Sequence, residues 1–213
     1  MSNQKHEQAR VDDQTRPDSG GRHRWRVVDI VVAAVLGVAC GLIFFGWNSL
    51  GYAWYSAMDA LTPGLGGLAA GVWFLGGPLG GLIIRKPGAA LFVELVAGFV
   101  SMALGNQWGW ETMYSALAQG LGAELVFAIF AYRRFGAIVA ILAGLLAGVG
   151  AWVNEFILGN WSKSAGYNTL YLICTALSGA VLAGLLAWLL MKALARAGAL
   201  DRFAAGRESR RLV

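Results

Sequence analysis

The chain has 213 residues, 57% of them hydrophobic and only 14% charged, with 30 glycines and nine tryptophans. A water-soluble domain carries about 25% charged residues, so this chain has too few charges to clothe a surface in water and reads as a polytopic membrane protein. Its net charge of +5 does not point to nucleic acid, because the basic residues lie in tails and short loops rather than on one folded face.

In chain order, residues 1–26 are polar, mixed in charge and end in Arg22, Arg24 and Arg26. They are expected to form a disordered cytoplasmic tail. They are not a secretory signal, because the apolar segment that follows is full length and lacks a small-residue cleavage site. Six apolar stretches come next, at roughly 27–46, 63–84, 87–105, 113–132, 135–158 and 169–191. Each is near the ~20 residues that a spanning helix needs. The stretch 47–62 is less apolar and rich in Trp, Tyr and Gly, and is expected to be re-entrant or interfacial rather than a further span. The expectation is thus an all-α protein, with a six-helix transmembrane domain over 27–193 and a basic cytoplasmic tail over 194–213.

The charges orient this bundle. In a six-span arrangement, sixteen of the seventeen Lys and Arg residues fall on one side and only Lys163 on the other. The positive-inside rule then puts both termini in the cytoplasm. Cys40 and Cys174 lie inside apolar runs, where a free cysteine acts as a small hydrophobe. His6 and His23 sit in the polar tail, and no residues have metal-ligand spacing.

Small residues recur every four positions, as in Ala33, Gly37 and Gly41 of the first span and Gly144 and Gly148 of the fifth. In lipid such faces let helix backbones approach closely. The first-span stripe runs through three turns and is a candidate surface for docking another membrane subunit; the alternative is packing within the chain.

Two carboxylates lie deep inside spans. Glu94 follows Lys86 by eight residues, and Glu124 precedes Arg133 by nine. At ~1.5 Å per residue both are expected roughly 12–14 Å above the inner basic loops. A carboxylate at that depth faces the protein interior and marks either a functional site or a structural polar contact. Gln119 lies just outward of Glu124 on the same helix, and Trp73 in the outer half of the second span.

Seven of the nine tryptophans fall on the outer side, among them Trp47, Trp110 and Trp152. Belts of aromatic residues normally dress both interfaces, so this asymmetry asks for more than anchoring. Aromatic rings stack on flat heterocycles and hold cations over their faces. With Asn106, Glu155 and Tyr167 at the same mouth, they point to an outward-facing pocket for a small, flat, polar or cationic molecule. No phosphate-binding Gly-Lys-Ser/Thr loop, zinc motif or nucleophile elbow appears in the sequence. The chain therefore does not drive transport by hydrolysing ATP itself, and no cofactor is expected.

Several blocks resemble one family. Arg85-Lys86-Pro87-Gly88-Ala89-Ala90 followed by Glu94, Gln119-Gly120-Leu121-Gly122-Ala123-Glu124, Leu104-Gly105-Asn106 and Trp73-Phe74 are similar to segments of the YkoE family. These are substrate-binding S components of energy-coupling factor (ECF) transporters, associated with thiamine and its hydroxymethylpyrimidine precursor. The resemblance covers about residues 26–195; the first outer segment, with Trp54 and Tyr55, matches poorly. It implies a six-helix S component in a bacterial plasma membrane that binds vitamin from outside. It also implies a transmembrane T component and two ATPase subunits as partners. Glu94, Gln119 and Glu124 match family motif positions, and Ala33, Gly37 and Gly41 resemble the surface by which S components dock. Rival expectations are an S component for another vitamin, a structural membrane subunit, and an intramembrane enzyme using Glu94 and Glu124 as an acid/base pair. The last would need a nucleophile or metal ligand at their depth, and the sequence offers neither.

Overall fold

A computed structural model describes residues 24–201, 203, 205 and 206. The elements are α1 (Val27–Leu61), a 3₁₀ segment (Leu65–Phe74) leading into α2 (Gly76–Ile84), α3 (Ala89–Ala103), α4 (Glu111–Ile129), α5 (Ala137–Leu158) and a 3₁₀ turn (Asn160–Ser162). They end with α6 (Ala165–Ser178), which runs through a π-helical segment (Gly179–Leu185) into α7 (Leu186–Arg196). Four stretches are long and apolar enough to cross a membrane: Val27–Leu61, Leu65–Ile84, Ala137–Leu158 and Ala165–Arg196. The six helical spans expected from the sequence are α1, the second span (the 3₁₀ segment with α2), α3, α4, α5 and the last span (α6 to α7).

The segment 47–62 corrects the sequence reading: it is neither re-entrant nor separate, but continues α1 to Leu61. A lone Gly46 costs a helix only about 1 kcal/mol relative to Ala, too little to end it when the residues beyond have tertiary partners. Trp47 Nε1 donates to the Ala69 carbonyl at 3.0 Å, and Asn48 Nδ2 to Ser101 Oγ at 3.1 Å. The 35 residues of α1 extend about 52 Å at ~1.5 Å per residue, well beyond the ~30 Å hydrocarbon core of a bilayer. Its C-terminal third therefore reaches beyond a single span.

The small-residue stripe of α1 is a second correction. Ala33, Gly37 and Gly41 are buried inside the chain, covered by α3. A Cβ on Gly37 would come 2.6 Å from Val96 Cβ, and one on Gly41 2.6 Å from Val100 Cβ and 2.8 Å from the Ala97 carbonyl oxygen. The stripe is the seat of α3, not a free docking face. On the opposite side of α1, Val31, Val35, Val38 and Leu42 are exposed, as suits a surface in lipid.

The second span is the most enclosed, with 83% of its apolar window buried and every residue of α2 out of contact with the surroundings. α1 packs on α3, α3 on α4, α4 on α5, and α5 on the last span, with the second span among them. Glycines set the closest approaches. A Cβ on Gly148 of α5 would run into the Thr175 carbonyl of α6, and one on Gly144 into the Gly179 carbonyl of the π segment. There, backbones touch directly, which replaces the missing hydrophobic drive between helices in lipid.

One end of the bundle gathers basic residues. Asp29, in the first turn of α1, accepts from Lys86 Nζ at 2.6 Å and from Arg26 Nη2 at 2.9 Å. Trp25 Nε1 donates to the Pro87 carbonyl at 2.9 Å and its ring meets Phe92 edge-on. The Arg85 guanidinium lies 4.7 Å over the Phe135 ring. Residues 24–26 thus pack with the bundle; the remainder of the expected N-terminal tail lies outside the described residues. Of the region expected as a basic C-terminal tail, Leu200, Phe203 and Ala205 are buried in the core.

Candidate functional site

A cavity of about 390 Å³ opens at the end of the bundle opposite the basic cluster. This lies within the ~300–1,000 Å³ of small-molecule sites. One wall is aromatic. Trp108, from the loop between α3 and α4, meets Tyr52 of α1 at 5.7 Å and Trp73 of the second span at 5.5 Å, both edge-to-face. Tyr55 of α1 meets Tyr171 of α6 at 6.3 Å in the same geometry. Four parts of the chain distant in sequence therefore present ring faces and edges to one space.

These rings are held by a connected set of hydrogen bonds. Trp73 Nε1 donates to Asn48 Oδ1 at 2.8 Å, and Asn48 Nδ2 to Ser101 Oγ at 3.1 Å. Asn106 Nδ2 donates to Thr112 Oγ1 at 2.8 Å, while its Oδ1 accepts from the backbone of Trp108 and Gly109 at 3.2 and 2.9 Å. Asn106 thereby fixes the loop that carries Trp108, whose turn needs Gly105 and Gly109 at positive φ. The rotamers of the wall are set before any ligand arrives, which lowers the cost of ordering them on binding.

Glu94 of α3 lines the same cavity and is 1% exposed. Its Oε2 accepts from the Gly77 backbone N–H at 2.6 Å. That N–H belongs to the first turn of α2, where helix donors have no partner within the helix and the dipole favours a negative group. The chain creates this helix start in mid-span, at the change from 3₁₀ to α winding around Leu75. Gly76 leaves the room: a Cβ there would come 2.8 Å from Glu94 Oε2. Gln119 of α4 completes the setting, with Nε2 donating to Glu94 Oε1 at 3.3 Å and to the Trp73 carbonyl at 3.2 Å, and Oε1 accepting from Ser115 Oγ at 2.7 Å. A buried carboxylate held by two neutral donors keeps room for a cationic or hydrogen-bond-donating ligand.

Glu124 has a different place. Its carboxylate accepts from the backbone N–H groups of Gly88, Ala90 and Leu91 at 2.6, 2.9 and 3.2 Å, and from Tyr132 Oη at 2.6 Å. It caps the N-terminus of α3 beside the basic end and is not among the residues lining the cavity. The two carboxylates are not at one depth, as counting along the helices had placed them. The Gly77 amide that receives Glu94 lies eight residues from Arg85, about 12 Å at ~1.5 Å per residue, whereas Gly88 is in the turn at the basic end itself. Tyr132 reaches Glu124 from a left-handed backbone conformation, φ 53°.

Comparison with known proteins decides what kind of molecule owns this cavity. Residues 28–150 match the family described as "ABC-type cobalt transport system, permease component". A Bacillus subtilis (strain 168) protein, the HMP/thiamine permease protein YkoE, is 32% identical over 189 residues, which are 86% of this chain and 92% of that one. A solved structure, an S component of an ECF transporter, superposes with a TM-score of 0.75 at 29% identity, covering 88% of this chain and 94% of its own. The chain belongs to the YkoE family of S components. It is a multi-pass membrane protein and the substrate-binding subunit of an ECF importer.

Within this S component, the cavity brings together Glu94, Gln119, Trp73, Asn106 and Glu155 of the residues expected from sequence. The others lie elsewhere. Trp47 is turned onto Ala69 and meets Trp54 edge-to-face at 6.0 Å. Trp110 precedes α4 and is 73% exposed. Trp152 donates to the Asn168 carbonyl at 3.0 Å and lines a separate groove. Tyr167 stacks on Tyr171 at 5.7 Å behind the wall and accepts from Lys163 Nζ at 2.8 Å. Sequence reasoning did not select Asn48, Tyr52 and Tyr55, because they ride on the part of α1 that was read as an interfacial segment; the absence of proline before Pro63 was the available signal.

Proposed function

We propose that this S component captures thiamine or its hydroxymethylpyrimidine precursor from outside the cell and delivers it through a transmembrane T component energised by two ATPase subunits. The observation that carries this reading is a cavity with an aromatic wall around a single deep carboxylate, Glu94, seated on the N-terminus of α2. Thiamine joins a thiazolium cation to an aminopyrimidine. Ring faces suit a flat cation, and a fixed carboxylate with amide groups suits the amino and ring nitrogens of the pyrimidine. The name carried by the Bacillus subtilis relative supports the same ligands. Titration of the purified full chain with thiamine, biotin and riboflavin tests the assignment. Thiamine alone is expected to bind; saturable binding of riboflavin or biotin in its place would overturn it.

The orientation follows from the basic end. Arg85, Lys86, Arg133 and Arg134 lie in turns at that end, and anionic lipid with the positive-inside preference favours the cytoplasm for them. Both termini are then cytoplasmic in a bacterial plasma membrane, and the cavity opens outward. A reporter fused after Gly159 is expected to be external and one at Pro87 internal; the reverse pattern would refute the orientation.

A further inference from the structure

Among the described residues, three carboxylates line the cavity, Glu94 at its floor and Glu111 and Glu155 nearer its mouth, and no Lys, Arg or His lines it. Glu111 opens α4 and is exposed; Glu155 lies three residues before the end of α5 and is half-buried. The basic side chain close by, Lys163, is not part of the lining: its Nζ donates to Tyr167 Oη at 2.8 Å, rides 4.0 Å over that ring and attracts Glu155 from outside the cavity. Next to Glu155 in sequence, Asn154 also lines the cavity. It is 8% exposed, and its buried Nδ2 has no hydrogen-bond partner among the described residues. A buried donor without an acceptor is costly and fits a ligand that supplies the acceptor.

We propose that the cavity is built for a cation that also offers one hydrogen-bond acceptor, with Glu111 and Glu155 reading the charge and Asn154 the acceptor. This rests on the vitamin assignment above and deepens it, because the two ligands of that assignment differ in this respect. Thiamine carries a permanent positive charge on its thiazolium ring. Hydroxymethylpyrimidine at mildly alkaline pH is neutral, yet shares the pyrimidine ring nitrogens and adds a hydroxyl. Asn154 therefore serves both ligands, whereas Glu111 and Glu155 serve only thiamine. Two carboxylates at a partly wetted rim together attract a nearby cation enough for about a tenfold preference.

The test is calorimetric titration of the full chain in detergent, at mildly alkaline pH, with thiamine and with hydroxymethylpyrimidine. The wild type is expected to bind thiamine about tenfold or more tightly than hydroxymethylpyrimidine. The double variant Glu111→Gln/Glu155→Gln is expected to lose about tenfold for thiamine and less than about twofold for the pyrimidine. Asn154→Leu is expected to weaken both ligands alike, by about tenfold. Equal wild-type affinities, or a double variant that keeps its preference or loses both ligands in parallel, would overturn charge selection. Unchanged affinities in Asn154→Leu would remove Asn154 from the site. A wild type that binds neither ligand would instead sink the vitamin assignment, and this inference with it. If the double variant unfolds, the exposed Glu111→Gln alone carries the test, with a proportionate and thiamine-restricted loss.

Discussion

Glu94→Gln is expected to weaken thiamine binding by about 1.5–3 kcal/mol, roughly tenfold to a hundredfold, the range for hydrogen bonds to a charged group. The substitution keeps the shape of the side chain and removes the carboxyl group that, among the described residues, lies at the cavity floor. It also leaves the first turn of α2 facing a neutral amide in place of a carboxylate, so the Gly77 N–H retains an acceptor and the fold survives. Glu124→Gln is the matched control. That carboxylate is occupied by three backbone N–H groups and the Tyr132 hydroxyl, so affinity is expected to stay within about twofold while stability falls by about 1–2 kcal/mol. Titration and thermal unfolding of both variants separate the two roles. A loss of affinity confined to Glu124→Gln would place the ligand at the inner end of α3 and refute the cavity assignment.

The other large effect is expected at Gly148. A side chain here meets the carbonyl of Thr175, backbone rather than a movable rotamer, so α5 and α6 must separate. Gly148→Ala is expected to cost about 1–3 kcal/mol, and Gly148→Val to leave little monodisperse protein on size-exclusion chromatography. Gly46→Ala, in α1 where a Cβ would meet nothing within 4 Å, is expected to stabilise by about 0.5–1 kcal/mol through helix propensity alone. Equal behaviour of Gly46 and Gly148 variants would mean that close backbone contact does not hold the last two spans together.

These two positions also mark what a sequence can carry. Apolar runs and basic turns made the bundle legible, because span length and lipid charge act on local composition. The stripe Ala33, Gly37, Gly41 announced a close approach correctly but not its partner; small size permits packing without naming the neighbour, which proved to be α3. Counting residues placed the Cα atoms of Glu94 and Glu124 at similar heights. Their carboxylates parted because each was received by a different helix start, Gly77 in mid-span and Gly88 in the inner turn, and a broken second span does not declare itself in an apolar run. Trp73 and Asn106 were recognisable from composition near the mouth. Tyr52 and Tyr55 were hidden by the aromatic character of 47–62, which looks the same in an interfacial segment and in the outer third of a long helix.

The ion pair at the foot of α1 bears on how the chain is made. Asp29 and its partner Lys86 are 57 residues apart, so the first span leaves the ribosome with a carboxylate whose final cation has not yet been synthesised. At ~5–20 residues per second that interval is on the order of 3–11 s. During it, Arg26, three residues away and in contact through Nε and Nη2, is the only neutralising group that the nascent segment carries within its own first turn. Arg26 is thus the local partner that Asp29 has before Lys86 exists, and Lys86 fastens the first span to the turn that opens α3.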